Sequence, residues 1–117
     1  MLVVLAAFLP EAKKMPLSNA TVLLQQLVDA DNFELQIFAY CWLDKDKKLL
    51  KNLSGQQLIA LETNMDNWVS TDYYGTMLLG SAWYHGSIDY EYILTLCKDP
   101  NFWRRRLALC ALIGWDR

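Results

Sequence analysis

Apolar positions in this chain recur at three- and four-residue steps, the spacing of one helix face, and the phase breaks at short polar stretches. Leu23, Leu24 and Leu27 mark one such face. No stretch alternates apolar and polar residues for long enough to predict a strand. Ser18, Ser54 and Ser87 each precede an apolar-periodic run. A Ser hydroxyl accepts from a free N–H of a first helical turn, so these three read as N-caps. The helices that follow are placed at 19–29, 55–65 and 89–97. A second set is placed at 33–44, 68–80 and 101–113. Asp99 and Pro100 open the last of these as an N-cap acid and a proline at the first helical position.

The second set carries a repeat. Asn32-Phe33, Asn67-Trp68 and Asn101-Phe102 lie 35 and 34 residues apart. Ala39, Cys41 and Leu43 recur in step as Ala108, Cys110 and Leu112, and the middle unit has Tyr74 for the Ala and keeps Leu78. Helix pairs at such a period predict an all-α chain, an α-solenoid wound as a right-handed, armadillo-like α–α superhelix. The repeats fall at about 18–44, 54–80 and 87–113 in a single domain, 1–117, after a partial N-terminal helix at 1–14. Gly75 inside the middle helix costs about 1 kcal/mol relative to Ala. It implies a bend or a close backbone approach there.

The ends are apolar where a solenoid needs polar caps. Leu2 to Leu9 and Leu107 to Ile113 are apolar runs. They predict a piece of a longer solenoid, or end-to-end self-association with a second copy. The N-terminal run is far below the ~20 residues needed to cross a bilayer, so a buried helix is expected and no membrane partner.

Composition narrows the function classes. Hydrophobic residues make up 54% and charged residues 21%, which marks a globular chain rather than a disordered one. Net charge is −2, which argues against a general polyanion binder but leaves room for local basic stripes. Lys45, Lys47, Lys48 and Lys51 form one candidate stripe, and Arg104, Arg105 and Arg106 another. Three Cys without a C-x-x-C pair imply reduced thiols and a cytoplasmic protein, with Cys41 and Cys110 as packing residues. With one His, no metal site and no cofactor is expected. Trp83, Tyr84 and His85 read as an aromatic loop.

Five residues past each repeated Asn stand Ile37, Asp72 and Arg106. If the units stack, Asp72 and Arg106 are neighbours, since packed helix axes lie about 8–10 Å apart. Trp68 shares the Asp72 face at i, i+4. One reading is a structural bridge with Trp68 in the core. The other is a site in which Arg106 takes an anion, Asp72 a cationic centre, and Trp68 forms an apolar wall.

Trp68-Val-Ser-Thr-Asp72, followed by Trp103-Arg-Arg-Arg106-Leu-Ala108, resembles the DNA alkylation repair family, the HEAT-like alkylpurine DNA glycosylases. That family has a W-x-x-x-D segment and, about 35 residues later, a W-x-x-R segment. Glu34-Leu35-Gln36 with Ala39 is similar to its E-x-R-x-x-A segment, with Gln36 in place of the Arg. The resemblance covers about 18–114 and implies a glycosylase acting on alkylated purines in duplex DNA. It implies Asp72 as the catalytic carboxylate, Arg106 as a phosphate or active-site contact and Trp68 as an aromatic packing on the deoxyribose. Arg104, Arg105, Trp103, Lys45 and Lys48 are then candidate DNA contacts. The alternative is a non-catalytic HEAT-like scaffold binding protein or structured DNA.

Overall fold

The computed structural model of the protein describes residues 1–115; the last two positions of the stretch expected as one domain, Asp116 and Arg117, lie outside the described residues. The described residues are helical without strands. They form two compact units, Met1–Asn64 and Met65–Arg117.

The first unit contains α1 (Leu2–Ala12), α2 (Leu17–Asp29), α3 (Phe33–Lys45), α4 (Lys47–Asn52) and α5 (Gly55–Ile59). Helix α2 buries Ala20, Leu24 and Val28, so the stripe runs at i, i+4, i+8 and leaves Leu23 and Leu27 half-buried at its edges. Helix α3 buries Ala39, Tyr40, Trp42 and Leu43. Helix α1 departs from the expected buried helix. Only Leu5 and Ala12 are buried, whereas Leu2, Val3 and Val4 are exposed. It docks through Phe8, whose ring meets Trp42 edge-on at 4.9 Å and Phe38 at 5.4 Å.

The helix predicted at 55–65 ends at Ile59. Ser54 caps it as expected, in a reciprocal capping box with Gln57. Its continuation is unwound by hydrogen bonds from the preceding pair. Gln25 donates to the Ala60 carbonyl at 2.8 Å, Tyr40 to Leu61 at 2.8 Å, and Gln36 to Thr63 at 2.6 Å. In return, the side chains of Thr63 and Asn64 both donate to the Val28 carbonyl at 3.0 Å. These bonds satisfy backbone groups that a continued helix would have used. The other two Ser caps give way. Ser18 lies inside α2 behind Pro16, and Asp89 replaces Ser87 as the cap of the next first-set helix. Helix α4, capped by Asp46, was not foreseen; six residues are too few to show a periodic face.

The second unit contains α6 (Trp68–Tyr73), a π-helical turn (Tyr74–Leu79), α7 (Gly80–Tyr84), α8 (Tyr90–Cys97) and α9 (Phe102–Ile113). The backbone stays right-handed helical through Tyr74 and Gly80, so 68–84 is one continuous rod with a π-bulge at its centre. It passes the expected end at residue 80 and carries Trp83 and Tyr84 on a helix rather than a loop. Trp83 meets Tyr90 and Trp115 at ring distances of 6.4 and 6.3 Å.

Gly75 sits in that π-turn, where a Cβ would lie 2.5 Å from Cys110 Cβ. Gly80 is equally confined, with Ala111 O at 2.6 Å from a would-be Cβ, and Gly114 abuts the Thr76 backbone. The close approach expected at Gly75 is therefore a packed helix crossing between the rod and α9.

Candidate active site

All three repeated Asn residues turn out to be N-caps. Asn32 Oδ1 accepts from Leu35 N at 3.1 Å, Asn67 from Ser70 N at 2.9 Å, and Asn101 from Trp103 N at 2.8 Å. An amide oxygen at this place satisfies a first-turn N–H that has no helical partner. The cap of α9 is thus Asn101 and not Asp99. Asp99 instead accepts from Asn101 N at 2.7 Å and pairs with Arg104.

These caps fix the phase of α6 and α9, and the Gly75 crossing fixes their separation. Asp72 and Arg106 meet as a bidentate pair. Arg106 Nε donates to Asp72 Oδ1 at 2.7 Å and Nη2 to Oδ2 at 2.8 Å. Parallel N–H···O bonds of this kind orient a carboxylate as well as hold it. The Asp72 side chain is 33% exposed and that of Arg106 39%, so the pair faces solvent at one edge. At such exposure an ion pair adds only about 0–1 kcal/mol to stability.

Cys110, one turn beyond Arg106, completes the cluster. Its thiol lies 3.2 Å from Asp72 Oδ1 and donates to it. The hydrogen bond from Arg106 holds the Asp72 carboxyl below the usual carboxylate range against the opposing effect of burial, and the Cys110 thiol lowers it further. Asp72 in turn raises the Arg106 guanidinium. Burial, then the bond to Asp72, pushes the Cys110 thiol up to about 12. The site therefore holds one carboxylate charged and one thiol protonated around neutral pH.

Trp68 is 63% exposed, so the reading that placed it in the core is corrected. As the first residue of α6 it precedes the turns that pack. Trp103 is half-buried and edge-on to Phe102 at 5.0 Å. Arg104 Nε lies 2.8 Å from Asp99 Oδ2, and Arg105 Nη1 donates to the carbonyls of Asp99 and Pro100. Both bend back to the start of their own helix. Lys45 and Lys48 lie in the first unit, exposed at the rim of a concavity of about 640 Å³ that Lys13 also lines. Gln36, in place of an expected Arg, is buried and bound to backbone.

Sequence reasoning read Cys110 as a packing residue. Its spacing of four from Arg106 was the signal that it shares the Asp72-facing side of α9. Among the described residues no group of three or more His, Cys, Asp or Glu side chains could hold a metal ion, and no helix is long and apolar enough to cross a membrane.

The family model described as DNA alkylation repair enzyme matches residues 4–117. The chain belongs to that family. Neither the curated proteins nor the solved structures offer a match. Membership makes DNA repair the general setting of this protein and DNA its expected class of substrate.

Proposed function

We propose that this protein is a DNA glycosylase that hydrolyses the N-glycosidic bond of alkylated, cationic purines such as 3-methyladenine or 7-methylguanine in duplex DNA. One observation carries the reading. In a chain of the DNA alkylation repair family, a carboxylate is clamped by a bidentate Arg at a solvent edge, one turn after an exposed Trp.

A purine alkylated at N3 or N7 is already positively charged. It leaves with the C1′–N bonding pair as a neutral base and needs no strong general acid. The unstable species is the oxocarbenium-like sugar. A fixed, ionised carboxylate stabilises it through space and orients the water that adds at C1′, whose proton passes to Asp72 or solvent. Asp72 takes this role. Arg106 commits Nε and Nη2 to Asp72, so its contribution is to keep that carboxylate charged and oriented. The Trp68 indole provides a flat apolar wall for the deoxyribose. The base need not be extruded, so no deep pocket is required, unlike ordinary base flipping.

In the second unit, Arg104, Arg105 and Trp103 are the proposed contacts to the DNA backbone, with affinity that falls as salt rises; Lys45 and Lys48 are proposed as such contacts of the first unit taken by itself. We also assign α3, α6 and α9 as the second helices of successive HEAT-like repeats, on the strength of their matching Asn caps.

The test is release of 3-methyladenine and 7-methylguanine from alkylated duplex DNA by the wild type and by Asp72→Asn. The variant is expected to lose about 10²–10³-fold in rate, the range for removing one preorganised electrostatic group. Equal release by the two proteins would remove Asp72 from the chemistry, and release by neither would leave a non-catalytic scaffold as the reading.

A further inference from the structure

The two oxygens of Asp72 are not equivalent. Oδ1 accepts from Arg106 Nε at 2.7 Å and from the Cys110 thiol at 3.2 Å. Oδ2 accepts from Arg106 Nη2 alone among the described residues, at 2.8 Å. A carboxylate oxygen accepts along about two lone-pair directions. Both are occupied on Oδ1 and one is open on Oδ2. A bidentate Arg by itself would leave one open direction on each oxygen. The thiol is what breaks the symmetry.

We infer that Cys110 is a positioning residue that makes Oδ2 the working oxygen of Asp72, the one presented to the sugar cation and to the attacking water. The inference rests on the glycosylase reading above.

Three features support it. The first is that Cys110 sits in the helix crossing beside the carboxylate. It is buried, and its Cβ lies where a side chain at position 75 would have to go. Glycine at that crossing lets the thiol reach the carboxylate. The second is that the thiol stays a donor across the working range, because burial and the adjacent carboxylate keep it protonated. Arg106 and Cys110, both on α9, are the ionisable groups that act on Asp72. The third is the internal control in the first unit. Cys41 holds the matching repeat position, but Ile37 stands four residues before it where Arg106 stands before Cys110, so its helix lacks the guanidinium that holds a carboxylate beside the thiol. A packing role alone explains a small apolar residue at both positions; it does not explain the hydrogen bond made where the acceptor exists.

The experiment compares wild type, Cys110→Ala and Cys110→Ser. One measurement is single-turnover and steady-state release of 3-methyladenine from alkylated duplex. The other is titration of the Asp72 carboxyl by NMR of ¹³C-labelled protein without DNA. Cys110→Ala is expected to lower kcat by about ten- to a hundredfold, the loss of one hydrogen bond to a charged group, with KM for the duplex unchanged. Its Asp72 titration moves to higher pH. Cys110→Ser, which keeps a donor of similar size, restores both.

Wild-type kcat and an unmoved titration in Cys110→Ala would overturn the inference. So would a loss of rate that Ser fails to restore while the titration stays put, which marks a packing role. If wild type releases no alkylated base, the glycosylase reading fails and the catalytic role of Cys110 falls with it. An unmoved Asp72 titration in Cys110→Ala overturns the thiol contact alone, so the two failures are distinguishable.

Discussion

The first unit uses its buried polar side chains to hold backbone in place, whereas the second uses its charged pair to hold a carboxylate at a solvent edge. In α3, Gln36 is 2% and Tyr40 0% exposed, and both donate to carbonyls of the 61–64 segment. In α6 and α9, Asp72 and Arg106 bind each other and stay about one-third exposed. The helices begin alike, on Asn caps in one repeat frame. The difference shows what kind of energy each polar group supplies. A buried amide or phenol with its partner carbonyl protects against an unmet hydrogen bond, which costs about 1–3 kcal/mol when created. A half-exposed ion pair adds little stability, and its value lies in holding charge at a fixed place.

The sharpest way to break this comparison is to swap what is lost. Asp72→Asn should abolish most base release, by the two to three orders of magnitude given above, while changing the unfolding free energy from urea melts by no more than about 1 kcal/mol. A large loss of stability with release intact would reverse the assignment and make the pair a structural bridge.

Gly75→Ala probes the crossing that brings α6 to α9. The added Cβ would meet Cys110 Cβ at 2.5 Å, so the helices must part. Overpacking of this kind costs about 1–3 kcal/mol. Release should fall as well, because the Asp72 cluster spans the same contact. A variant with unchanged melting and unchanged release would show that the crossing does not set the site.

Gln36→Leu should do the opposite of Asp72→Asn. It leaves the Thr63 carbonyl without its 2.6 Å donor and should lower unfolding free energy by about 1–3 kcal/mol. Release per folded molecule should be unchanged. Reduced release at full folding would draw the first unit into the chemistry.

The smallest effect is in the pH dependence of stability. Asp72 is held below its ordinary value of 3.8 in the folded state, so the folded chain binds fewer protons there than the unfolded one. Its contribution is present above pH 3.8 and is lost as pH falls through the folded value. Cys110 has the opposite sense. Raised from 9.0 to about 12, it contributes below pH 9.0, and that contribution is lost as pH rises toward 12. Tyr40, raised by burial, adds to the same alkaline loss. Urea midpoints across pH should therefore show a shallower acid limb in Asp72→Asn and a shallower alkaline limb in Cys110→Ala. Limbs identical to wild type would mean these shifts do not arise in the folded protein.

Much of this was legible along the chain. The in-step Asn positions placed α3, α6 and α9 to within a few residues, because a capping amide is a local requirement of any helix start. Their common frame also put Asp72 and Arg106 at the same station, and the motifs around them pointed to the family that the whole-chain match shows. Helix ends were less legible. Ser18 and Ser87 looked like caps, yet Pro16 and Asp89 sit at those places. Several polar residues lie close together there, and only the path of the chain decides which one is half-extended.

The sequence by itself determined the all-helical class, the repeat frame and the shared station of Asp72 and Arg106, since periodicity, capping chemistry and spacing are all properties of neighbours along a chain. Tertiary structure decided the rest. Whether residues 60–64 stay helical depends on Gln25, Gln36 and Tyr40 reaching their carbonyls from other helices. Whether Trp68 is wall or core depends on which turns of α6 find a neighbour. That Cys110 is a donor to Asp72 depends on a crossing tight enough to exclude a Cβ at Gly75. Each of these turns on distances between residues remote in the chain, which no local pattern encodes.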